Sequence, residues 1–444
     1  MKKLFLFCNC LLCILSIVAC HKGVAPTNNN GGNNSDSVFS DNGSSIVNFN
    51  HLNNLCVSIN FPDGVIGTGV YIYSNAPNYT NTDAPGEGYT CVDDVSRAAL
   101  AYLRSKQFTT DTSVRNKVYG LLNFVLEMQS PNGYFYNFLS ANNQINTSGS
   151  TSINNPNWWS WRALQTLTEA KPIVKTYNTN LANKIDNAVT KLVNSLKSDE
   201  VGKAQTTAIS NGITIPQWLP DESGADQAAT LILGLIPYSQ SVEDAVIKAY
   251  IKKLSDGIVV MQQGNSSQMP YGCFLSSGNS WHAYGSDQAY ALLKAGLFLN
   301  DTSYINKSLT EVNNFYAWLL NSGMRSSFNV ISQNGIVSIS NENNYPQIAY
   351  NLRPMIFSSI EAFNQTGKAQ YADIAGQLAA WFLGSNVASI NMYSSATGIT
   401  YDGITAYNTV NQNSGAESTI EAILALERVE LYPEVLAAMN KYKR

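Results

Sequence analysis

An all-helical toroid of six helical hairpins is the fold that this 444-residue sequence predicts. Three observations predict it: a repeated helix opening, a second amphipathic stretch after each opening, and alternating short and long connections. The opening is clearest in Gly224-Ala225-Asp226-Gln227-Ala228-Ala229, Gly285-Ser286-Asp287-Gln288-Ala289-Tyr290 and Gly415-Ala416-Glu417-Ser418-Thr419-Ile420. Each sets a glycine, a small residue and an acid ahead of an apolar run. Looser versions lie at Cys91–Ala98, Trp158–Ala163 and Tyr350–Met355. The anchors Asp93, Trp161, Asp226, Asp287, Leu352 and Glu417 are spaced by roughly 61 to 68 residues, the period of a helical hairpin with its loops.

The elements follow in chain order. Lys2 and Lys3 precede an apolar run, Leu4 to Val18, that closes on Ala19-Cys20. This run is short for a permanent membrane span, and its end resembles the lipobox of bacterial lipoproteins. Residues 1–19 are therefore expected to be a signal peptide and Cys20 an acylated N-terminus, anchoring the chain to the membrane of the bacterial cell envelope, at the outer membrane or cell surface. Residues 20–45, rich in Asn, Gly and Ser, bury too little apolar surface to order themselves and predict a disordered tether. Residues 46–444 form the toroid domain.

Apolar residues at three and four spacing mark a second helix in every unit: Val114–Met128, Ile185–Leu196, Val242–Met261, Tyr304–Leu320, Tyr371–Leu383 and Pro433–Met439. These keep a polar face, as at Lys248, Lys252 and Lys253, and predict an outer ring. The first helices are apolar nearly all round and predict an inner one. The longer connections, about 130–156, 200–223, 264–284, 322–349 and 385–414, all return to the inner-helix starts, so the loops gather on one face.

Composition narrows the partners. A net charge of −4, with 13% charged residues, offers no basic field for nucleic acid. Four of the seven cysteines fall in residues 1–20, leaving Cys56, Cys91 and Cys273 without the makings of a disulfide framework. Only three histidines occur, so Cys91, Cys273 and His282 are the sole candidate zinc set. No metal or cofactor is expected, although the loops leave room for a structural calcium. A monomer is expected.

The loop-rich face collects aromatic rings and acids. Trp158, Trp159, Trp161, Trp218 and Trp281 lie in the long loops or at inner-helix starts, with Tyr284 and Tyr401 among the tyrosines. Flat rings suit the C–H faces of sugars, and Trp158, Trp159, Trp218, Trp281, Tyr284, Tyr401 and Arg353 are the expected substrate-binding residues; some of these rings are expected only to wedge loops onto the barrel. Asp93, Asp94, Asp226, Asp287 and Glu417 recur at the inner-helix starts. Because a toroid closes, Glu417 should face Asp93 and Asp94. Glycoside hydrolysis needs one protonated and one ionised carboxyl, and inner helices about 8 to 10 Å apart predict room for a water between them and hence inversion. Asp226 and Asp287 equally suit N-capping, and Arg162 and Arg353 could orient a uronate or pair with these acids.

The six hairpins and the openings at Asp93-Asp94-Val95-Ser96-Arg97-Ala98 and Gly415-Ala416-Glu417-Ser418-Thr419-Ile420 resemble the six-hairpin glycosidase superfamily and its (α/α)6 toroid. The resemblance spans about residues 50–440 and implies a two-carboxylate hydrolase acting on an oligo- or polysaccharide. Two alternatives stay open: a uronate lyase leaning on Tyr284, His282 and Arg353, and a glycan-binding lipoprotein without catalysis.

Overall fold

Helix caps divide the helices into two sets. In a computed structural model, which describes residues 45–444, Asp111, Asn178, Asp244 and Asp301 cap outer helices by accepting from first-turn backbone N–H groups, each such cap being worth about 1 kcal/mol. No inner helix is capped by a carboxylate at its N-cap position. The first uses the Cys91 thiol, which accepts from Asp94 N, and the second uses Asn157. Asp287 occupies the N-cap position of the fourth without making a cap bond. Asp287 is thereby left for other partners. Asp226 lies inside the first turn, behind Gly224, and there its carboxylate accepts from Gln227 N at 2.6 Å, the first-turn capping contact that the sequence allowed for.

The inner helices are Val92–Arg104, Trp158–Lys175, Ala225–Ser241, Gln288–Leu299, Ala349–Thr366 and Ala416–Glu430. Each packs on the next, and the sixth returns to the first, closing the ring. Their partners are Thr112–Glu127, Thr179–Asp199, Ala245–Val260, Thr302–Ser322, Ala369–Phe382 and Pro433–Tyr442, each against its own inner helix. Burial follows this layering: Ala349 through Ala362 of the fifth inner helix are all buried, whereas the second outer helix buries only one stripe, including Leu181, Ile185, Leu192 and Leu196. Where the second and third inner helices cross, a Cβ on Gly234 would stand 2.9 Å from Gln165 N, so glycine sets their closeness.

The expected loops carry unforeseen strands. Hairpins form at Thr207–Ser210 with Ile213–Pro216, Gln262–Asn265 with Gln268–Phe274, and Gly403–Ala406 with Thr409–Asn411. A three-stranded sheet joins Ser280–His282, Ser327–Gln333 and Ile336–Asn343. Residues 56–82 add two further hairpins ahead of the first inner helix. These stiffen the loop face without changing the helical architecture. The expected signal peptide, Cys20 and nearly all of the tether lie outside the described residues. No described helix is long and apolar enough to cross a membrane.

The fourth outer helix departs from α geometry in its middle. Between Thr302–Thr310 and Ala317–Ser322 runs a π-helical segment, Glu311–Tyr316. Its Glu311 is fully buried, accepting from Phe274 N at 2.8 Å and from the Tyr316 hydroxyl at 3.1 Å. Burial pushes its carboxyl up to about 8, against smaller lowering by those two bonds. The folded state therefore holds a proton that the unfolded chain has released above the ordinary glutamate range. Stability attributable to Glu311 falls as pH rises from about 4.5 to about 8 and is level above, a window worth a few kcal/mol. Glu311→Gln, neutral throughout, should show a shallower decline of urea-denaturation stability across that window and exceed the parent at pH 8. Parallel pH profiles for the two proteins would refute this account.

Candidate active site

The mouth of the toroid is organised around arginines. Arg97, one turn beyond Asp93 on the first inner helix, is nearly fully buried and touches four carboxylates: Asp93 at 2.9 Å, Asp94 at 2.7 Å, Glu417 at 3.4 Å and Glu421 at 2.7 Å. Arg353, on the fifth inner helix, grips Asp287 through two nitrogens, one at 3.0 Å, and Glu421 at 2.6 Å. Arg162, on the second, ion-pairs with Asp93 and donates to the Tyr350 hydroxyl. All three guanidiniums stand over the Tyr350 ring, at 5.1, 5.3 and 5.3 Å from its centroid, a geometry favoured by the ring quadrupole.

The acids in this cluster differ in depth. Glu421 has no exposed surface and takes one guanidinium on each oxygen. Desolvation alone would raise its carboxyl, but Arg353, Arg97 and Arg162 together hold it below the usual range. Asp94 is buried, accepts from the Cys91 thiol at 3.3 Å, and is raised chiefly by desolvation. Glu417, one turn before Glu421, leaves 45% of its side chain open to the funnel. Protein crowds it on the remaining sides, and its carboxyl is pushed up to about 7, first by desolvation and then by Asp94, Glu421 and Asp93, with Arg97 opposing.

A second group faces them. His282 meets Asp226 through Nε2 at 3.1 Å and the Tyr284 carbonyl through Nδ1 at 2.8 Å. Its ring stacks on that of Tyr284, centroids 3.8 Å apart. Burial, and then the fields of Asp226 and Glu417, raise the pKa of the Tyr284 hydroxyl. Gly285 follows with φ +63°, and a Cβ there would stand 2.8 Å from the Tyr350 hydroxyl oxygen, so the turn over the mouth requires glycine.

Of the expected site residues, the structure brings together Asp93, Asp94, Asp287, Glu417 and Arg353, with Asp226 and Tyr284 beside them. It corrects three of the aromatics. Trp281 is buried, stacked on Phe328 at 4.7 Å and edge-on to Phe315. Trp159 is buried and donates to Phe135 O, and Trp218 is buried and donates to Lys253 O. These rings lock loops onto the barrel and offer no free face to a ligand. Trp158 is half-buried against Arg162, its ring centroid 5.6 Å from the guanidinium carbon. Tyr401 is half-buried and lies near Tyr79, whose pKa is raised first by burial and then by Tyr401.

Asp93 and Glu417 reach the same Arg97 nitrogen, at 2.9 and 3.4 Å, which brings one oxygen of each carboxylate close to the other. The zinc set is not assembled: Cys91 serves Asp94, His282 serves Asp226, and buried Cys273 lies near Glu311. Among the described residues no group of three or more potential ligands is placed to hold a metal.

Sequence reading missed Arg97, Tyr350 and Glu421 as parts of the site. The spacing of Glu417 and Glu421, four apart on one helix face, was the available signal for the last.

No protein-family model matches the chain, and no curated protein matches it in sequence. Solved structures do match in shape. A sugar epimerase from a ruminal bacterium aligns with TM-score 0.60 at 10% identity, over 84% of this chain and 94% of that one. The cellobiose 2-epimerase of Bacillus thermoamylovorans B4167 aligns with TM-score 0.57 at 12% identity, over 85% and 94%. The fold is the (α/α)6 toroid. A cellulase of C. cellulolyticum aligns more loosely, with TM-score 0.48 at 12% identity over 83% of this chain and 88% of that one.

The ion network has a direct thermodynamic consequence. Replacing Arg97 by Met removes the shared partner of four acids and leaves Asp94 buried without its guanidinium, so unfolding stability should drop by about 3 to 5 kcal/mol. A loss under 1 kcal/mol by denaturant titration would mean the cluster is not a structural keystone.

Proposed function

We propose that this protein is a carbohydrate-active enzyme, a glycoside hydrolase that uses Glu417 as its general acid. The observation that carries the reading is the state of Glu417: a carboxyl open to the funnel, raised to about 7, beside acids that are ion-paired to guanidiniums. A glycosidic oxygen leaves only if it is protonated as its bond to carbon breaks, and a carboxyl that keeps its proton near neutral pH can supply that proton. The toroid shared with sugar epimerases adds a coarse expectation of a sugar substrate.

The second carboxylate is assigned to Asp93, whose side chain is one quarter exposed and whose two oxygens are held by Arg162 and Arg97. Held so firmly and so close to Glu417, it suits direct stabilisation of, or attack on, the positive sugar carbon better than activation of a distant water. Retention is the stereochemical outcome this favours. Tyr284, half-exposed and buttressed from behind by His282, serves as the platform for the sugar ring.

A uronate lyase is less well supported. It would draw its base from His282 or Tyr284, yet both nitrogens of His282 are engaged and the Tyr284 hydroxyl is pushed away from ionisation. The arginines that would neutralise a uronate are already paired with protein acids. The lipid anchor on Cys20 and residence at the outer membrane or cell surface are part of the same proposal, as is action on glycans outside the cytoplasm.

Reducing-sugar release from a panel of oligo- and polysaccharides tests the assignment. Glu417→Gln should lower kcat on natural glycans by about 10² to 10⁴ with the fold intact, and Asp93→Asn should be similarly damaging. In the parent, kcat/KM should fall as pH rises through about 7, where Glu417 loses its proton. Release unaffected by Glu417→Gln, or unsaturated products absorbing in the ultraviolet, would overturn the hydrolase reading.

A further inference from the structure

Beside the mouth lies a second concavity that the hydrolytic chemistry does not use. It has a volume of about 380 Å³ and is lined chiefly by Asn50, His51, Asn54, Asn78, Tyr79 and Thr397. These come from three separate stretches: the short helix Asn50–Leu55, the hairpin of Tyr73–Asn75 with Thr80–Thr82, and the long loop that leads into the sixth inner helix. Three segments distant in sequence thus converge on one small space.

The lining has a definite chemistry. The side-chain amides of Asn50, Asn54 and Asn78 have no hydrogen-bond partner among the described residues. Each offers two donors and an acceptor, the combination that matches hydroxyls able both to give and to accept. Tyr79 supplies a ring, held in place by a left-handed backbone (φ +54°) and by the edge of His51 at 5.4 Å. No Asp, Glu, Lys or Arg lines the space. An anionic ligand would find no counter-charge there, and a hard cation would find no carboxylate.

The pocket is also tied to the catalytic helix. His51 is buried behind it, with Nε2 on Ser414 O at 2.8 Å. Ser414 stands three residues before Glu417, a reach of at most about 11 Å along the chain. Ser414 N in turn donates to Ser74 O in the hairpin that carries Tyr79, and Gly415 N donates to Asp402 at 2.8 Å. The pocket wall and the start of the sixth inner helix therefore form one continuous hydrogen-bonded body.

We propose that this pocket is a second sugar-binding site, taking an uncharged sugar unit of a glycan that also reaches the mouth. The proposal rests on the carbohydrate reading of the mouth but makes a separate claim about a separate surface. Unspent amides with an aromatic plane and no charge fit a neutral hexose or pentose unit, and the site's size holds one or two such rings.

Affinity electrophoresis of the full chain tests it, in gels containing galactomannan, xyloglucan or hydroxyethyl cellulose, and in gels containing polygalacturonate or alginate. At least one neutral polymer should retard the parent and Glu417→Gln alike. Asn54→Ala/Asn78→Ala should weaken that retardation at least fivefold, and so should Thr397→Trp, which fills the space by bulk instead of removing hydrogen bonds. Both changes are at exposed positions, and circular dichroism verifies that each variant is folded. Retardation by anionic polymers alone, neutral retardation unchanged in both variants, or no retardation in any gel would each overturn the proposal. Pocket-dependent binding without glycan hydrolysis would remove the hydrolase reading and leave the pocket standing, and hydrolysis without pocket-dependent binding would do the reverse.

Discussion

The structure depends on one buried carboxylate, Glu421, held between Arg97 and Arg353. Burying that charge costs several kcal/mol, which is recovered only because each oxygen meets a guanidinium at close range. Those contacts also fix the ring. Glu421 belongs to the sixth inner helix, Arg97 to the first and Arg353 to the fifth; Arg353 goes on to Asp287 ahead of the fourth, and Asp93 on the first to Arg162 on the second. Five of the six hairpins are thus joined at the mouth by ion pairs. The third enters through Asp226 and His282. Apolar packing closes the barrel, and this network sets how the inner-helix starts are turned toward one another.

Charge balance then singles out Glu417. Around the Tyr350 ring stand three guanidiniums and five acids, Asp93, Asp94, Asp287, Glu417 and Glu421. Such a cluster carries more negative charge than its arginines neutralise, and crowding of that kind raises the pKa of the least well compensated member. Glu421 and Asp287 have short contacts to Arg353 and Asp93 has two arginines. Glu417 has only Arg97, at 3.4 Å, the longest of that guanidinium's four contacts. The excess proton settles on the acid that is also the most open to a ligand.

The helical layout was legible in the sequence because burial writes itself into periodicity. Runs such as Ala228-Ala229 and Ala289-Tyr290-Ala291-Leu292 have no polar side, and the outer stretches keep one, so inner and outer helices separate by inspection. The acids at the inner-helix starts were legible for the same reason, being polar residues where apolar ones would pack. What could not be read was which partner each residue would find across the ring. Arg97 is hundreds of residues from Arg353 and Glu421, which are themselves 68 residues apart, and no local pattern reports that encounter. Trp281, Trp218 and Trp159 misled for a related reason: a tryptophan in a loop has the same local sequence whether its ring meets a sugar or, as with Trp281, the face of Phe328. The loop hairpins were missed because short polar strands such as Thr207–Ser210 alternate too weakly to stand out from irregular chain.

Depth along a single helix face separates the structural acid from the chemical one. Glu417 and Glu421 are one turn apart, so they point the same way and share Arg97. One turn deeper, the carboxylate meets a second guanidinium and no solvent, and its charge is fixed. One turn shallower, it loses the second guanidinium and gains the funnel, and its proton is retained toward neutrality. The same residue type on the same helix thus serves two ends, and exchanging their environments would abolish both. Glu421 can hold the ring because it is never asked to release its partners. Glu417 can exchange a proton because the ring does not depend on it, Arg97 keeping three other carboxylates whatever the state of the fourth.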